Sequence, residues 1–485
     1  MAAKSIMIQG TASSAGKSLL TAGLCRIFRQ DGLRVAPFKS QNMALNSFIT
    51  RDGLEMSRAQ AMQAEACGTP PDIRMNPVLL KPSSDKGSQV IVMGTPMGNM
   101  GAEEYYAWKH NLLPAIRTAY EELAAGHDAI VLEGAGSPVE INLRDGDFVN
   151  MGMAKLARSP VLIVGDIDRG GVFAALVGTM QLLPEDEKAL VKGVIINKFR
   201  GDPAILEPGL RMLEEIIRVP VLGVLPYLDL KVDDEDSLTE RFTASPEPGL
   251  VDIAVLRLPR ISNFTDFNAL EYVSGVSLRY VRSVKELGAP DCIILPGSKN
   301  VMGDLKWLRQ NGLAQCVLKH AASGKPVIGV CGGFQMLCGH ISDPHALEDG
   351  GEIDGLGLLA LNTVLGREKA RTQVHGQLSA VGGIFSGLSG LAFNGYAITM
   401  EFSGAEKNLV QRGNVYGTCI HGIFDAEEVP KAILRALLEE KGLNGTVVPT
   451  FNMETFKQAQ YDLLAGAIRS SLNLAAIYNI LDKGV

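Results

Sequence analysis

Residues 5–18 read Ser5-Ile6-Met7-Ile8-Gln9-Gly10-Thr11-Ala12-Ser13-Ser14-Ala15-Gly16-Lys17-Ser18. An apolar run with the character of a strand feeds a glycine-rich turn, and Leu19 to Arg29 continues as a helical pattern. That order lines up backbone N–H groups in a concave row closed by a helix N-terminus, a site suited to a polyphosphate. Lys17 adds a mobile positive charge, and Ser18 supplies the hydroxyl that a phosphate-bound Mg2+ takes up. Gly10, Thr11, Ser13, Gly16, Lys17 and Ser18 are therefore the expected contacts of ATP. Five residues rather than the usual four separate Gly10 from Gly16.

Working outward, short apolar runs alternate with helical stretches: Ser5 to Gln9, Arg34 to Phe38, Ala129 to Leu132, Val161 to Gly165, Val194 to Ile196 and Val221 to Val224. Repeated strand, crossover and strand predicts a parallel α/β sheet covered on both faces. Ligand groups in such a sheet lie beyond the carboxyl ends of the strands. Glu133, directly after Ala129 to Leu132, is thus the expected metal carboxylate beside Ser18. Asp166 and Asp168 follow the next strand, and Asn197 follows Val194 to Ile196 as the candidate contact to the nucleotide base.

Between Asp229 and Gly249 the chain turns acidic and then Pro-rich, which predicts a linker. A second strand series follows: Asp252 to Leu256, Ser277 to Val281, Cys292 to Leu295, Val327 to Val330, then Gly357 to Val364 and Val415 to Ile420. The expected division is 1–235, a linker 236–250, a second α/β domain 251–440, and an amphipathic helical extension 441–485. Within the second domain Gly329-Val330-Cys331-Gly332-Gly333-Phe334-Gln335 runs from strand to helix through a cysteine. Flanking glycines permit a sharp turn, and the helix N-terminus favours a thiolate, so Cys331 is expected to be an exposed nucleophile. A lone cysteine is more often a small buried hydrophobe; here the glycines and a strand-terminal His421 argue for chemistry. Cys338 is assigned to the core. Backbone N–H groups near Gly333 and in Pro296-Gly297-Ser298 are candidates to hold an oxyanion, with Gln335 beside them to bind glutamine.

Length predicts more than one core. Net charge of -7, without runs of Lys and Arg among aromatics, argues against nucleic acid as a partner. The cysteines, at 25, 67, 292, 316, 331, 338 and 419, form no CxxC pair, which speaks against a disulfide framework or structural zinc and for a reducing cytoplasm. Met1 leads directly into the first strand, and the apolar segment from Val161 is broken by Asp166 and Asp168, so neither a signal segment nor a membrane span is expected. Nothing in the sequence fixes an oligomeric state.

The long phosphate loop resembles that of dethiobiotin synthetase and its amide-forming relatives. Taken with Pro37-Phe38-Lys39-Ser40-Gln41-Asn42-Met43, Leu79-Leu80-Lys81-Pro82, Glu133-Gly134-Ala135-Gly136-Ser137-Pro138, Asp166-Ile167-Asp168-Arg169-Gly170-Gly171-Val172-Phe173, Asn197-Lys198-Phe199-Arg200-Gly201-Asp202, Leu295-Pro296-Gly297-Ser298-Lys299 and His421-Gly422-Ile423-Phe424, nearly the whole chain resembles the cobyric acid synthase family. The resemblance implies a dethiobiotin synthetase-like P-loop NTPase domain followed by a class I glutamine amidotransferase domain. It further implies Cys331 as nucleophile, His421 as its partner, and ATP, Mg2+, glutamine and a corrin polycarboxylate as ligands. Amidation of the b, d, e and g carboxylates of adenosylcobyrinic acid a,c-diamide would follow, with Lys39, Lys81 and Arg169 as plausible anion contacts and a sheltered ammonia path between domains.

Most class I amidotransferases carry a Glu two residues after the histidine. Ile423 stands there, as in the cobyric acid synthase branch. Gly395-Tyr396-Ala397-Ile398-Thr399-Met400 also departs from the Gly-Tyr-Glu-Ile-His-Met of relatives. Rival readings are a cobyrinic acid a,c-diamide synthase and a MinD-like ATPase switch with an inactive amidase domain. The Pro37 to Met43 stretch opposes the first. The second requires a further lysine early in the loop, where Thr11 and Ala12 stand, and a basic amphipathic anchor.

Overall fold

Six aliphatic runs come together as one parallel sheet in the order Val221–Pro226, Val191–Phe199, Val161–Asp166, Lys4–Gly10, Ala129–Glu133, Val35–Phe38. The central strands are buried on both faces, which is why they read as unbroken apolar runs rather than alternating ones. This computed structural model describes residues 3–82, 87–233, 242, 249–366, 371–398, 401–402, 408–445 and 452–485. Most of the expected linker 236–250, with its acidic and Pro-rich runs, lies outside the described residues.

Between the strands Val35–Phe38 and Ala129–Glu133 the chain makes an excursion that periodicity does not announce. A hairpin, Ser47–Ile49 with Glu55–Ser57, leads into the helix Arg58–Cys67. A four-stranded sheet then forms from Gln41–Met43, Val78–Pro82, Gly87–Val92 and Thr95–Gly101. These strands are short and the last is largely exposed, so hydrophobic patterning is weak.

The second sheet runs Val276–Val281, Val251–Leu256, Cys292–Leu295, Val327–Val330, Val415–Thr418, Val410–Arg412, with only the last strand antiparallel. The expected strand from Gly357 to Val364 is corrected. Only Asn362–Val364 is extended, and it pairs with His340–Asp343 in a separate sheet. Gly357 adopts a positive φ of 67° and ends the extended run.

After Glu440 the chain returns to the first domain. Helices Met453–Ser471 and Leu474–Lys483 bury Leu464, Ile468, Ile477 and Leu481 against Leu20, Leu24 and Ile27 of the helix Lys17–Gln30. The extension thus backs the helix whose N-terminus closes the phosphate loop. No helix among the described residues is long and apolar enough to cross a membrane.

Candidate functional site

The loop after the strand Lys4–Gly10 is locked from three sides. Thr11 N donates to Val164 O at 2.9 Å, which turns that N–H toward the neighbouring strand. Lys17 Nζ donates to Ala12 O at 2.9 Å and across to Gly136 O at 3.1 Å. Asn197 Nδ2 donates to Ala15 O at 2.9 Å. Gly16 has φ 98°, and a Cβ there would meet Asn197 Nδ2 at 1.9 Å, so only glycine fits. Ser13 and Ser14 stand exposed at the tip. Beside them lies a cavity of about 470 Å³ bounded by Ser14, Gly16, Asn197, Lys198 and Tyr227.

Glu133 gathers the loop's polar partners. Its Oε1 accepts from Ser18 Oγ at 2.9 Å and Lys39 Nζ at 2.8 Å, and its Oε2 accepts from Gln63 at 2.5 Å. Register explains the pair: Phe38 stands opposite Leu132 on adjacent parallel strands, so Lys39 and Glu133 leave the sheet side by side. Lys39 is buried in this ion pair, and Lys81 is buried against Glu55 and Ser47. Both charges, expected as anion contacts, are taken up in buried ion pairs within the protein. Arg169 is exposed and lines the cavity beside Ser14 and Gly16. Asp166 and Asp168 are engaged by Lys198 and Arg200 at 2.9 and 3.0 Å.

Breaking a buried pair leaves the remaining charge uncompensated, at about 3–5 kcal/mol. Lys39→Met is therefore expected to lower the urea midpoint of unfolding by an amount worth about 3 kcal/mol. A midpoint equal to wild type would show that the pair contributes nothing.

The Ser18 hydroxyl and the Glu133 carboxylate are oxygen donors set side by side, of the kind that fits a phosphate-bound Mg2+, which takes one or two protein oxygens together with phosphate oxygens and water.

At the other site the strand Val327–Val330 ends at Cys331, whose φ of 50° and ψ of -108° place it in a strained elbow before the helix Gly332–Leu337. A Cβ on Gly333 would meet Leu295 O at 2.0 Å, so the helix start packs directly on the strand before Pro296-Gly297-Ser298. Ser298 Oγ is tied to Asp304 at 2.7 Å, which fixes the loop beside the elbow. Gln335 is buried; its Nε2 donates to Thr363 Oγ1 at 3.0 Å, and its Oε1 has no hydrogen-bond partner. Burial pushes the Cys338 thiol up to about 12, as a core cysteine requires.

Parallel pairing of Val330 with Thr418 brings His421 next to Cys331. His421 Nδ1 lies 2.7 Å from Asp266 Oδ2, and Gly422 N donates to Asp266 Oδ1 at 3.1 Å. Burial alone would lower the imidazole's pKa, but the Asp266 charge and the adjoining Cys331 raise it to about 10. Asp266 therefore occupies the orienting role that Ile423 cannot fill. It sits in the short turn Phe264–Phe267, anchored by two buried phenylalanines. No motif in the sequence marked it; its only signal was an acid soon after a strand of the second sheet.

The exposed thiol expected from the sequence is corrected: Cys331 is only 6% accessible. Its surroundings are roofed by the other domain. Tyr396 stacks on His421 with centroids 5.0 Å apart and donates its hydroxyl to Ser47 O at 3.0 Å. Asn263, 3.3 Å from the His421 ring, accepts from Ser47 N at 3.0 Å. Ala397 pairs with Ile420, while Thr399 and Met400 lie outside the described residues.

Residues 6–237 match the CobQ/CobB/MinD/ParA nucleotide binding domain, and residues 252–429 match the CobB/CobQ-like glutamine amidotransferase domain. Among curated relatives, the cobyric acid synthase of Ruminiclostridium cellulolyticum is 60% identical, covering 100% of this chain and 98% of the relative. Those of Lachnoclostridium phytofermentans and Caldanaerobacter subterraneus are 53% and 50% identical, covering 100% and 99% of this chain and 100% and 98% of the relatives.

Proposed function

The chain belongs to the cobyric acid synthase family, with a nucleotide-binding domain followed by a glutamine amidotransferase domain, and from that premise we propose that it amidates the b, d, e and g carboxylates of adenosylcobyrinic acid a,c-diamide with ATP and glutamine to give adenosylcobyric acid. A carboxylate is a poor electrophile, so its oxygen first attacks the γ-phosphorus of ATP, ADP leaves, and an acyl phosphate forms. Lys17 would neutralise the charge developing on the transferred group. Ser18 and Glu133 would hold Mg2+, which supplies further charge neutralisation when bound.

In the second domain the Cys331 sulfur attacks the side-chain amide carbon of glutamine, while N–H groups around Gly297, Ser298 and Gly333 hold the oxyanion. Protonated His421 gives its proton to the departing nitrogen, and ammonia leaves. Water then hydrolyses the thioester to glutamate and regenerates the thiolate. Gln335 Oε1, a buried acceptor without a partner, suits the amino group of the substrate glutamine. Ammonia displaces phosphate from the acyl phosphate and forms the amide.

One observation carries this reading: the two sites share a wall. The hairpin Ser47–Ile49 and Glu55–Ser57 roofs the Cys331 site and continues into the helix Arg58–Cys67, whose Gln63 bonds Glu133 at the phosphate loop. That continuity supports a path sheltered between the domains. The test is incubation with ATP, Mg2+, glutamine and adenosylcobyrinic acid a,c-diamide, with corrin mass followed over time. Stepwise conversion of acid to amide is expected, and glutamine nitrogen should persist in the product when hydroxylamine is added. Glutamine loss without change in the corrin would shift the acceptor to another acid, and hydroxamate formed to the exclusion of amide would argue against shelter.

A further inference from the structure

Two cavities flank the phosphate loop, and the sheet order separates them. The strands ending at Phe199 and Pro226 stand on one side of the strand Lys4–Gly10, and bound the first cavity. The strands ending at Glu133 and Phe38 stand on the other. There a second cleft of about 330 Å³ opens between Tyr105–Lys109 and the loop from Ala135 to Asn150. Lys17 marks the join, because its Nζ donates to Gly136 O, and Gly136 lines this cleft. The lysine of such a loop meets the terminal phosphates, so the cleft begins where the transferable phosphate ends.

Its walls are of two kinds. At the rim, Met43, Tyr106 and Leu143 are 55%, 45% and 40% exposed, large apolar groups gathered round one opening. Beside them Lys109 Nζ lies 4.8 Å from the Tyr106 ring centroid and 5.8 Å from that of Phe148; the Asp147 and Asp145 charges act on it from a distance, and no ion pair within 4 Å forms among the described residues. Asp147, which also lines the cleft, is already engaged by the N–H groups of Val149, Asn150 and Gly152. The inner end is polar and fixed: Tyr105 donates to Gln41, and the Asn150 amide is bonded to Ala135 through both its oxygen and its nitrogen.

We propose that this cleft is the acceptor site. One carboxylate-bearing arm of a macrocyclic polycarboxylate enters toward Gly136 and Lys17. The apolar edge of the ring rests on Met43, Tyr106 and Leu143, and Lys109 pairs with a neighbouring carboxylate. This assignment rests on the amidation reading above and adds the place and chemistry of recognition. The volume is at the small end for ligand pockets, enough for an arm but not for the ring, so each transfer requires the macrocycle to re-seat on the rim with a fresh arm inward. Glu140, also at the rim, opposes a carboxylate and suits the amide arms that the acceptor already carries.

The test uses the full chain with Lys109→Glu and Tyr106→Ser, both changes at the rim. Steady-state kinetics with adenosylcobyrinic acid a,c-diamide should show the corrin KM raised about tenfold or more by Lys109→Glu and about threefold by Tyr106→Ser, with the KM for ATP and for glutamine moving less than about twofold. An unchanged corrin KM in both variants, while wild type forms amide, overturns the cleft and leaves the reaction standing. Should wild type form no amide, the reaction reading falls, and absorbance titration with the same corrin diamide decides the cleft. Binding weakened tenfold by Lys109→Glu then supports it; equal binding, or none by wild type, overturns it.

Discussion

Replacing Cys331 with alanine is expected to lower glutamine-supported amide formation by about 10^5-fold or more, while the rate supported by added ammonium stays within about twofold of wild type. The loss corresponds to about 7 kcal/mol of transition-state stabilisation. It is large because, in the proposed mechanism, the thiolate bonds covalently to the amide carbon, a step that alanine has no atom to perform. The split between nitrogen sources matters as much as the size. Ammonium bypasses the elbow and needs only the phosphate loop, which is built from different strands. Parallel loss of both rates would mean that Cys331 serves the fold, and persistent glutamine-supported turnover would remove it from the chemistry. The measurement is corrin product mass with each nitrogen source.

Burial of the sulfur belongs to the same argument. Cys331 borders the aliphatic core of its own domain, and beside it His421 is stacked by Tyr396, whose hydroxyl reaches Ser47 of the first domain's hairpin. A protonated imidazole beside it favours the thiolate that burial alone would oppose. The same contacts join the two domains beside the elbow.

What the sequence made legible were the parts fixed by local geometry. The phosphate loop and the cysteine elbow each need glycines and a strand-to-helix junction within a few residues, so their identity survives without knowledge of the fold. The parallel sheets were legible because strands buried on both faces read as apolar runs. What escaped depends on contacts between distant segments. Lys39 reads as an anion contact until register sets it beside Glu133. Lys81 changes meaning in the same way once Glu55 lies against it. The excursion from Gln41 to Gly101 hides because its short strands alternate weakly, yet it supplies the wall common to both sites.

Asp266 is the clearest of these, and substituting it provides the sharpest test of the second site. Asp266→Asn is expected to reduce glutamine-supported turnover by about 10^3-fold, or about 4 kcal/mol, with the ammonium-supported rate unchanged. Asparagine preserves shape and can still accept from Gly422 N, so a purely structural role would be little affected. What it removes is the negative charge facing His421 Nδ1 at 2.7 Å. The sign follows from that charge. In the wild type the imidazole is raised to about 10, so its charged form holds through neutral pH and is lost only as pH climbs through that value. Without the carboxylate, burial drives the pKa down, and the proton leaves within or below the ordinary range near 6.5. The variant's residual glutaminase activity should therefore decline as pH rises through neutrality, where wild type stays level, and Asp266→Glu should restore part of both rate and profile. A flat, wild-type-like profile in the asparagine variant would reduce Asp266 to a cap on Gly422 and leave His421 to be oriented by Asn263 and the Tyr396 ring, which already touch it.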